Sequence, residues 1–522
     1  MNKIINFSVI LLSLLLAASC YEKDENYEYK PKTELSIEGV EDLYEKTALV
    51  DTLHIDPTIT VSDPSHQLEY EWSLFIYYGD AADAPNKVPV KVIGKERVLD
   101  YVIVEKPQSY NVVLKVVNTA TTQEAYAMTR VNINNEFSKG FYVLKEINGE
   151  SDMDLHLASG EIISDLLYQK EGNRINGTPN SLAVLLKYSY LDTATSNKVP
   201  TTALTVATKT DFHIIDVADM SSLYTHDNMF YEENTPVEES LFACFTYYGA
   251  TYISNKGVYL SSYDLIWGDG GSGKFPLAAP MAGGYRPNIN ILAEQYFVYF
   301  FDELNGRFLY SDYNGGLGTF NNEDEDGVIP AYLPNGINHK LIFFGRNQIG
   351  DNTSSGFAIM QDATDVRKLY LYELKLEGSS DNPIVNVKEI TNKKLNKATH
   401  FATNELLARV IYFVADGQLF AYKVDDDTEV PVTLQGIGAG EEITYIRNRY
   451  WEGSKAEKDN FNYLAVGTQK ADQYKIYLYE LVGSGPTGSP VRVLQGKGRL
   501  AALQYVTPDF TAKNGDKYPL SY

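Results

Sequence analysis

Lys368-Leu369-Tyr370-Leu371-Tyr372-Glu373-Leu374 and Lys475-Ile476-Tyr477-Leu478-Tyr479-Glu480-Leu481 are two copies of one pattern, a strand with tyrosines at alternating places. Before each lies an apolar run, Phe357-Ala358-Ile359-Met360 in one case and Tyr463-Leu464-Ala465-Val466 in the other. Alternation at period two, rich in aromatic and branched residues and broken by polar turns, predicts antiparallel hairpins. Two hairpins so alike are an internal repeat, and the repeat decides how the chain is built.

Working outward, the same unit recurs. Its second strands are Asp154-Leu155-His156-Leu157, Asp211-Phe212-His213-Ile214-Ile215, Gly257-Val258-Tyr259-Leu260, Arg307-Phe308-Leu309-Tyr310 and Gln418-Leu419-Phe420-Ala421-Tyr422. With Tyr310, Tyr372, Tyr422 and Tyr479 as markers, the steps are 62, 50 and 57 residues. That period suits a four-stranded propeller blade with generous loops, and seven such units fit residues 141–522. One blade buries neither face alone, whereas radial stacking gives every sheet two neighbours and protects its edges. The expectation is an all-β chain whose larger part is a β-propeller, with seven blades.

Residues 35–134 read differently. Leu53-His54-Ile55, Ile59-Thr60-Val61, Leu68 to Tyr78, Val88 to Ile93, Tyr101 to Val104, Val112 to Val117 and Ala125 to Ile133 are short strands divided by turn residues such as Asp63-Pro64. Seven strands in this length predict an immunoglobulin-like sandwich, with Trp72 in its core. Asn134 to Gly140 is the joint between the two modules.

The N-terminus carries an address. Lys3, the apolar run Ile4 to Ala18 and the small residues Ala17, Ala18 and Ser19 have the layout of a secretory signal peptide over residues 1–19. Leu16-Ala17-Ala18-Ser19-Cys20 resembles a bacterial lipobox, which implies acylation of Cys20, although the leucine sits one place further back than the motif has it. Tyr21-Glu22-Lys23-Asp24-Glu25-Asn26 follows, making residues 20–34 an acidic tether that resembles the surface-export signal of Bacteroidetes lipoproteins. No later stretch approaches eighteen consecutive apolar residues.

Tyr70-Glu71-Trp72-Ser73-Leu74 and Tyr110-Asn111-Val112-Val113-Leu114-Lys115-Val116-Val117 resemble strands of the polycystic-kidney-disease (PKD) sandwich. Together with the lipobox, the tether and Gly140-Phe141-Tyr142-Val143-Leu144-Lys145-Glu146, they make the chain similar to the PKD-like lipoproteins of Bacteroidetes. The resemblance implies an accessory lipoprotein of the outer membrane, facing outward. It would bind an oligomeric nutrient beside a TonB-dependent transporter and its lid lipoprotein, as in starch-utilisation-type loci. It supplies no catalytic or binding residues.

Composition narrows the partners. Lys plus Arg number 45 against 69 Asp plus Glu, a net charge of −24 that repels nucleic acid and anionic membranes. Two cysteines exclude a disulfide framework and a thiolate zinc site. The seven histidines form no metal motif. Gly268-Asp269-Gly270-Gly271-Ser272-Gly273-Lys274-Phe275 lacks the hydroxyl that a phosphate loop needs after its lysine. Asn322-Glu323-Asp324-Glu325-Asp326-Gly327 imitates the start of a calcium loop, so Asn322, Asp324 and Asp326 are candidate Ca2+ ligands. Position twelve is Leu333 instead of a bidentate glutamate, and a solvated acidic turn is the plain alternative. No other cofactor is expected.

Four aromatic residues beside glycine-rich or polar loops, Trp267, Tyr285, Tyr450 and Trp451, are candidate platforms for a peptide or glycan ligand. The plain alternative is that each ring fills a gap between blades. With no catalytic motif in the sequence, the leading reading is a non-enzymatic nutrient binder. A hydrolase or lyase on a propeller scaffold and a structural subunit of the importer are the alternatives.

Overall fold

The structure, a computed structural model, describes residues 35–77, 90–193, 197–232, 240–246, 249–261, 273–293, 297–311, 316–323, 329, 331–348, 355–376, 380–391, 393–451 and 460–507. The protein is all-β: among these residues one short α-helix, Leu166–Glu171, and one 3-10 turn, Lys394–Lys397, interrupt the strands.

In the N-terminal module the main layer is a five-stranded sheet in the order Leu43–Thr47, Glu124–Asn134, Gln108–Asn118, Leu68–Ile76, Lys91–Gly94. Its first pair is parallel and the rest antiparallel. Two short pairs complete the module, Leu35–Glu38 with Thr58–Val61 and Thr52–Ile55 with Leu99–Val102. Leu53, Ile55 and Leu99 from the second pair share one core with Trp72, Leu114, Val116 and Val131 of the large sheet. Trp72 is fully buried, and its indole N–H donates to the Glu96 carbonyl at 2.9 Å, which satisfies its one polar atom. Gly94 lets the edge strand pass it: a Cβ there would lie 2.9 Å from Leu99 Cδ1 and 3.3 Å from Trp72 Cδ1.

The joint is packed. Phe137 is buried in the same cluster as Tyr142 and Met220, and the Tyr142 hydroxyl donates to the Phe137 carbonyl. The Asn135 amide donates to the Ala218 carbonyl, and Lys106 Nζ donates to the Tyr190 hydroxyl at 3.3 Å. The sandwich therefore touches the second module through several elements.

From Gly140 onward the described strands fall into seven antiparallel sheets, here sheets I to VII. Six are consecutive meanders whose first strands are Pro179–Asp192, Ser240–Thr246, Leu292–Ala293, His339–Arg346, His400–Thr403 and Glu442–Trp451. Sheet I is built from both ends of the module. The late strand Arg499–Val506 lies at its edge, beside Gly140–Ile147 and then Glu150–His156. These six first strands touch one another in succession, and Arg499–Val506 touches both Glu442–Trp451 and Pro179–Asp192, so the ring closes on itself. That is the architecture of a β-propeller.

The hairpins recognised in the sequence are the second and third strands of the sheets. Ser355–Asp362 pairs with Leu369–Lys375, and Phe461–Lys470 with Gln473–Val482. They read clearly because sheets press on both their faces: Ile359 and Leu371 join one core cluster, while Ala358, Met360 and Tyr372 join the next.

Where sheet I meets sheet VII, the contact holds a buried charged network. Lys145 Nζ lies 2.5 Å from Asp154 Oδ1 and 2.9 Å from Asp165 Oδ1, and only 1% of the lysine side chain is exposed. The Tyr474 hydroxyl of sheet VII donates to Asp154 Oδ2 at 2.6 Å and lies 3.0 Å from His156 Nε2. Gly496 leaves room for it, since a Cβ there would fall 2.5 Å from both Asp154 Oδ2 and the Tyr474 hydroxyl. Burial raises the Tyr474 phenol far above its ordinary range, so it stays a proton donor to the carboxylate. Burial also pushes the His156 imidazole down to about 4.

Because the folded chain keeps His156 neutral while the unfolded chain protonates near the ordinary pKa, this residue's contribution is intact above about pH 6.5. It is lost as pH falls from there toward 4, a difference of roughly 3 kcal/mol. Denaturant titrations should show the wild type losing stability over that window relative to His156→Gln. Parallel pH profiles for the two proteins would contradict the assignment. Tyr474→Phe should cost about 2 kcal/mol at pH 7, since it leaves the buried Asp154 carboxylate short of a donor.

Candidate functional site

Sheets V, VI and VII bring the ends of their first strands together, and these ends carry polar and charged side chains. Arg346 is the last residue of its strand, Glu405 follows the end of His400–Thr403, and Arg447 and Arg449 stand two apart on Glu442–Trp451. Residues two apart share one face of a strand, so both guanidiniums of sheet VII lie on the same side. Arg346, Glu405 and Arg449 are buried at 4, 3 and 6% exposure, and Arg447 is half-buried.

Amide side chains and backbone fix the arrangement. Asn347 of sheet V donates to the Asn404 and Ala408 carbonyls at 2.7 and 3.0 Å. Asn404 donates to the Gly483 carbonyl of sheet VII at 2.9 Å. The Gln348 N–H donates to the Glu405 carbonyl at 2.7 Å, and the Glu405 N–H donates to Asn448 Oδ1 at 2.9 Å. Arg346 donates through Nη1 to the Tyr450 hydroxyl at 3.2 Å and through Nη2 to Gln348 Oε1. Arg449 Nη2 lies 3.4 Å from the Tyr445 hydroxyl. Three neighbouring sheets are thereby stitched at one end of the ring.

Electrostatics set the character of this end. Burial raises the Glu405 carboxyl to about 7, against the opposing pull of Arg447, Arg346 and Arg449, in that order. Its Oε2 is buried without a hydrogen-bond partner among the described residues. Burial lowers the Arg449 guanidinium from its ordinary value, and Arg447 adds to the effect by repulsion. Among the described residues, three guanidiniums thus act on one carboxyl that stays partly protonated at neutral pH.

At the far end of His339–Arg346, about 23 Å away at strand rise, a cleft of about 530 Å³ opens between sheets IV and V. Arg286, Glu303, Asn305, Asn338, His339 and Lys340 line it. Two of its groups are engaged: Arg286 Nε lies 3.4 Å from Glu303 Oε2, and His339 stacks on Tyr370 outside the lining at 4.1 Å.

The structure spreads the aromatic candidates apart. Tyr450 and Trp451 end the first strand of sheet VII and are buried at 7 and 5% exposure, not displayed on a loop. Tyr450 meets the arginine cluster through its hydroxyl, whereas Trp451 packs against Tyr505 at a ring distance of 6.1 Å. Tyr285 fills the gap between sheets III and IV, accepting the Val258 N–H at 2.9 Å and donating to the Ala279 carbonyl at 3.0 Å. Trp267 lies outside the described residues, as do Cys20, Asp324 and Asp326. Asn322 is exposed, and its Oδ1 accepts from Asn335 at 3.1 Å. No group of three potential metal-binding side chains occurs among the described residues, and none of their helices is long and apolar enough to cross a membrane.

Sequence reading passed over Arg346, Glu405, Arg447 and Arg449. A signal was present: Arg447-Asn448-Arg449 sits directly before Tyr450-Trp451 inside a strand-like run, and Arg346 ends Leu341-Ile342-Phe343-Phe344-Gly345. Charges embedded in apolar strands are rarely buried without a partner or a purpose.

Solved structures match the chain at low similarity. A quinonprotein alcohol dehydrogenase-like protein from Bacteroides thetaiotaomicron matches at 13% identity and TM-score 0.37, covering 91% of this chain and 99% of that one. A DUF4784 family protein from Bacteroides caccae matches at 9% identity and TM-score 0.30, covering 77% of this chain and 95% of the other. Hsv2 from a Kluyveromyces yeast matches at 9% and 0.32, covering 77% and 99%. No curated protein matches the sequence. Residues 20–179, which comprise the sandwich, the joint and the opening strands of the ring, match the PKD-like family.

Proposed function

We propose that this protein is a lipid-anchored outer-membrane protein that captures an oligomeric nutrient, a peptide or a glycan, at the cell surface. Cys20 is the anchor, residues 20–34 are the tether and the sandwich is the stalk. The ring, read as seven blades, presents the binding surface. A TonB-dependent transporter and its lid lipoprotein are the partners. The observation that carries the reading is the polar end of the ring, where Arg346, Glu405, Arg447 and Arg449 converge from three sheets held in register by amide side chains. A rigid polar constellation on strand ends suits recognition of a ligand, because little side-chain freedom is left to lose on binding. The match of residues 20–179 to the PKD-like family and the leader before Cys20 support the surface address.

Two measurements test the proposal. Cys20→Ala should move the protein from the membrane fraction to the soluble fraction, and mass spectrometry of the wild type should find the acyl chains on Cys20. Retention of the variant in the membrane, or an unmodified mature start, would contradict the anchor. Affinity electrophoresis against a panel of glycans, with calorimetry on peptides, should then show binding without products. Turnover of any panel member would replace the binding reading with an enzymatic one.

A further inference from the structure

The cleft between sheets IV and V lies on the face of the ring turned away from the sandwich. First strands in a propeller run alike from one face to the other. The sandwich meets Tyr190, near the end of Pro179–Asp192, whereas the cleft gathers at His339, the start of its own first strand. Two loops locked together by backbone form its wall. The Ile337 N–H donates to the Gly306 carbonyl at 2.7 Å, and the Phe308 N–H to the Pro334 carbonyl at 3.2 Å. Gly306, at φ 60°, permits that approach, since a Cβ there would strike the Ile337 carbonyl. Beside them the buried Asp302 carboxylate accepts the Arg286 and Leu304 N–H groups at 2.9 and 3.0 Å, the Asn305 amide at 2.7 Å and Arg307 Nε at 2.9 Å. A cleft so braced loses little freedom on binding, and its volume of about 530 Å³ falls in the range of small-ligand sites.

The lining is rich in donors. Its one carboxylate, Glu303, is engaged by the Asn288 amide at 2.6 Å and by Arg286 Nε at 3.4 Å. Asp362, opposite His339 but outside the lining, already accepts the Thr364 hydroxyl at 2.6 Å and the Thr364 and Asp365 N–H groups at 2.7 and 2.9 Å. Lys340 is exposed and forms no ion pair among the described residues, and the Asn338 side chain makes no hydrogen bond among them. Burial lowers the His339 imidazole and raises the Tyr372 phenol. The Tyr372 hydroxyl therefore donates to His339 Nδ1 at 2.9 Å, which leaves the imidazole proton on Nε2. An ammonium, a guanidinium, an amide and an imidazole N–H around one cavity complement a carboxylate. The apolar lining indicates what carries it. Phe301 is its one phenyl ring, and at 1% exposure it offers a sugar no platform. Leu304, 57% exposed, and Ile337 offer aliphatic contact, which suits a peptide side chain.

We propose that this cleft is a second binding site, separate from the arginine cluster, which takes a short peptide by its carboxylate. Lys340 and Arg286 are the charged partners, and Asn338 and His339 are the neutral donors. A chain end and an acidic side chain present the same carboxylate chemistry, and the test separates them.

The test is calorimetry at pH 7 on the full chain in detergent, with four probes: N-acetyl-Ala-Ala-Leu with a free carboxylate, the same peptide as its amide, N-acetyl-Ala-Glu-Leu amide, and digalacturonate. The expected result is binding of a carboxylate-bearing peptide, about tenfold or more weaker for the neutral amide and for digalacturonate. Binding confined to the free carboxylate assigns the chain end, binding confined to the glutamate peptide assigns the side chain, and binding of both assigns either. Lys340→Gln should weaken binding about tenfold, Lys340→Arg should recover most of that loss, and Asn338→Ala should cost about threefold. Lys340 and Asn338 are exposed, so these variants should melt with the wild type. Equal binding of the neutral amide, or binding of the acidic peptides unaffected by Lys340→Gln, would overturn the inference. Lys340-dependent binding of digalacturonate in preference to the peptides would overturn the peptide class. No binding of any peptide would remove the site, and capture of a glycan elsewhere on the ring would stand apart from that result.

Discussion

The pairing of Arg499–Val506 with Gly140–Ile147 is the constraint on which the ring depends. Sheets that bury two faces need two neighbours, and in a linear array the first and last sheets would each lack one. Joining strands more than 350 residues apart in sequence removes both ends at once. The loop entropy of so long a closure rises only slowly with length, and the interface repays it in apolar contact among Phe141, Val143, Ile476, Leu478 and Leu503. The Lys145–Asp154–Tyr474 network adds direction to that contact. A buried ion pair is a poor source of stability in itself, but it penalises any register in which its members fail to meet.

The stacking of sheets around the ring also positions the site. Radial stacking brings the ends of three successive first strands together, and there Arg346, Arg447 and Arg449 act on Glu405. The amides of Asn347, Asn404 and Asn448 transmit the ring's geometry directly to these groups. The cleft between sheets IV and V needs only two neighbouring sheets, and its Arg286 pairs locally with Glu303.

How much could be read in the sequence follows from the same geometry. The second and third strands of each sheet are covered on both faces, so their composition is dictated by burial, and Leu369–Lys375 and Gln473–Val482 announce themselves by alternating aromatics. Trp72 was legible for the same reason. The first strands border the axis and must satisfy polar demands, so their pattern is broken: Glu442–Trp451 interleaves Ile443 and Ile446 with Arg447, Asn448 and Arg449. Ring closure by Arg499–Val506 left no local mark, because that strand's partners are distant in sequence. The aromatic candidates were selected for their nearness to loops. Tyr285 turned out to spend its hydroxyl on backbone groups, and Tyr450 to serve the arginine cluster instead of offering its ring.

The most direct test of the ring is amide hydrogen exchange read along the C-terminal strand. If Arg499–Val506 completes sheet I, its amides should be protected to nearly the same degree as those of Gly140–Ile147 and Phe461–Lys470, and all should open together in denaturant. Exchange of 499–506 within seconds, as in a frayed terminus, while the sheets before it stay protected, would contradict closure and everything built on it.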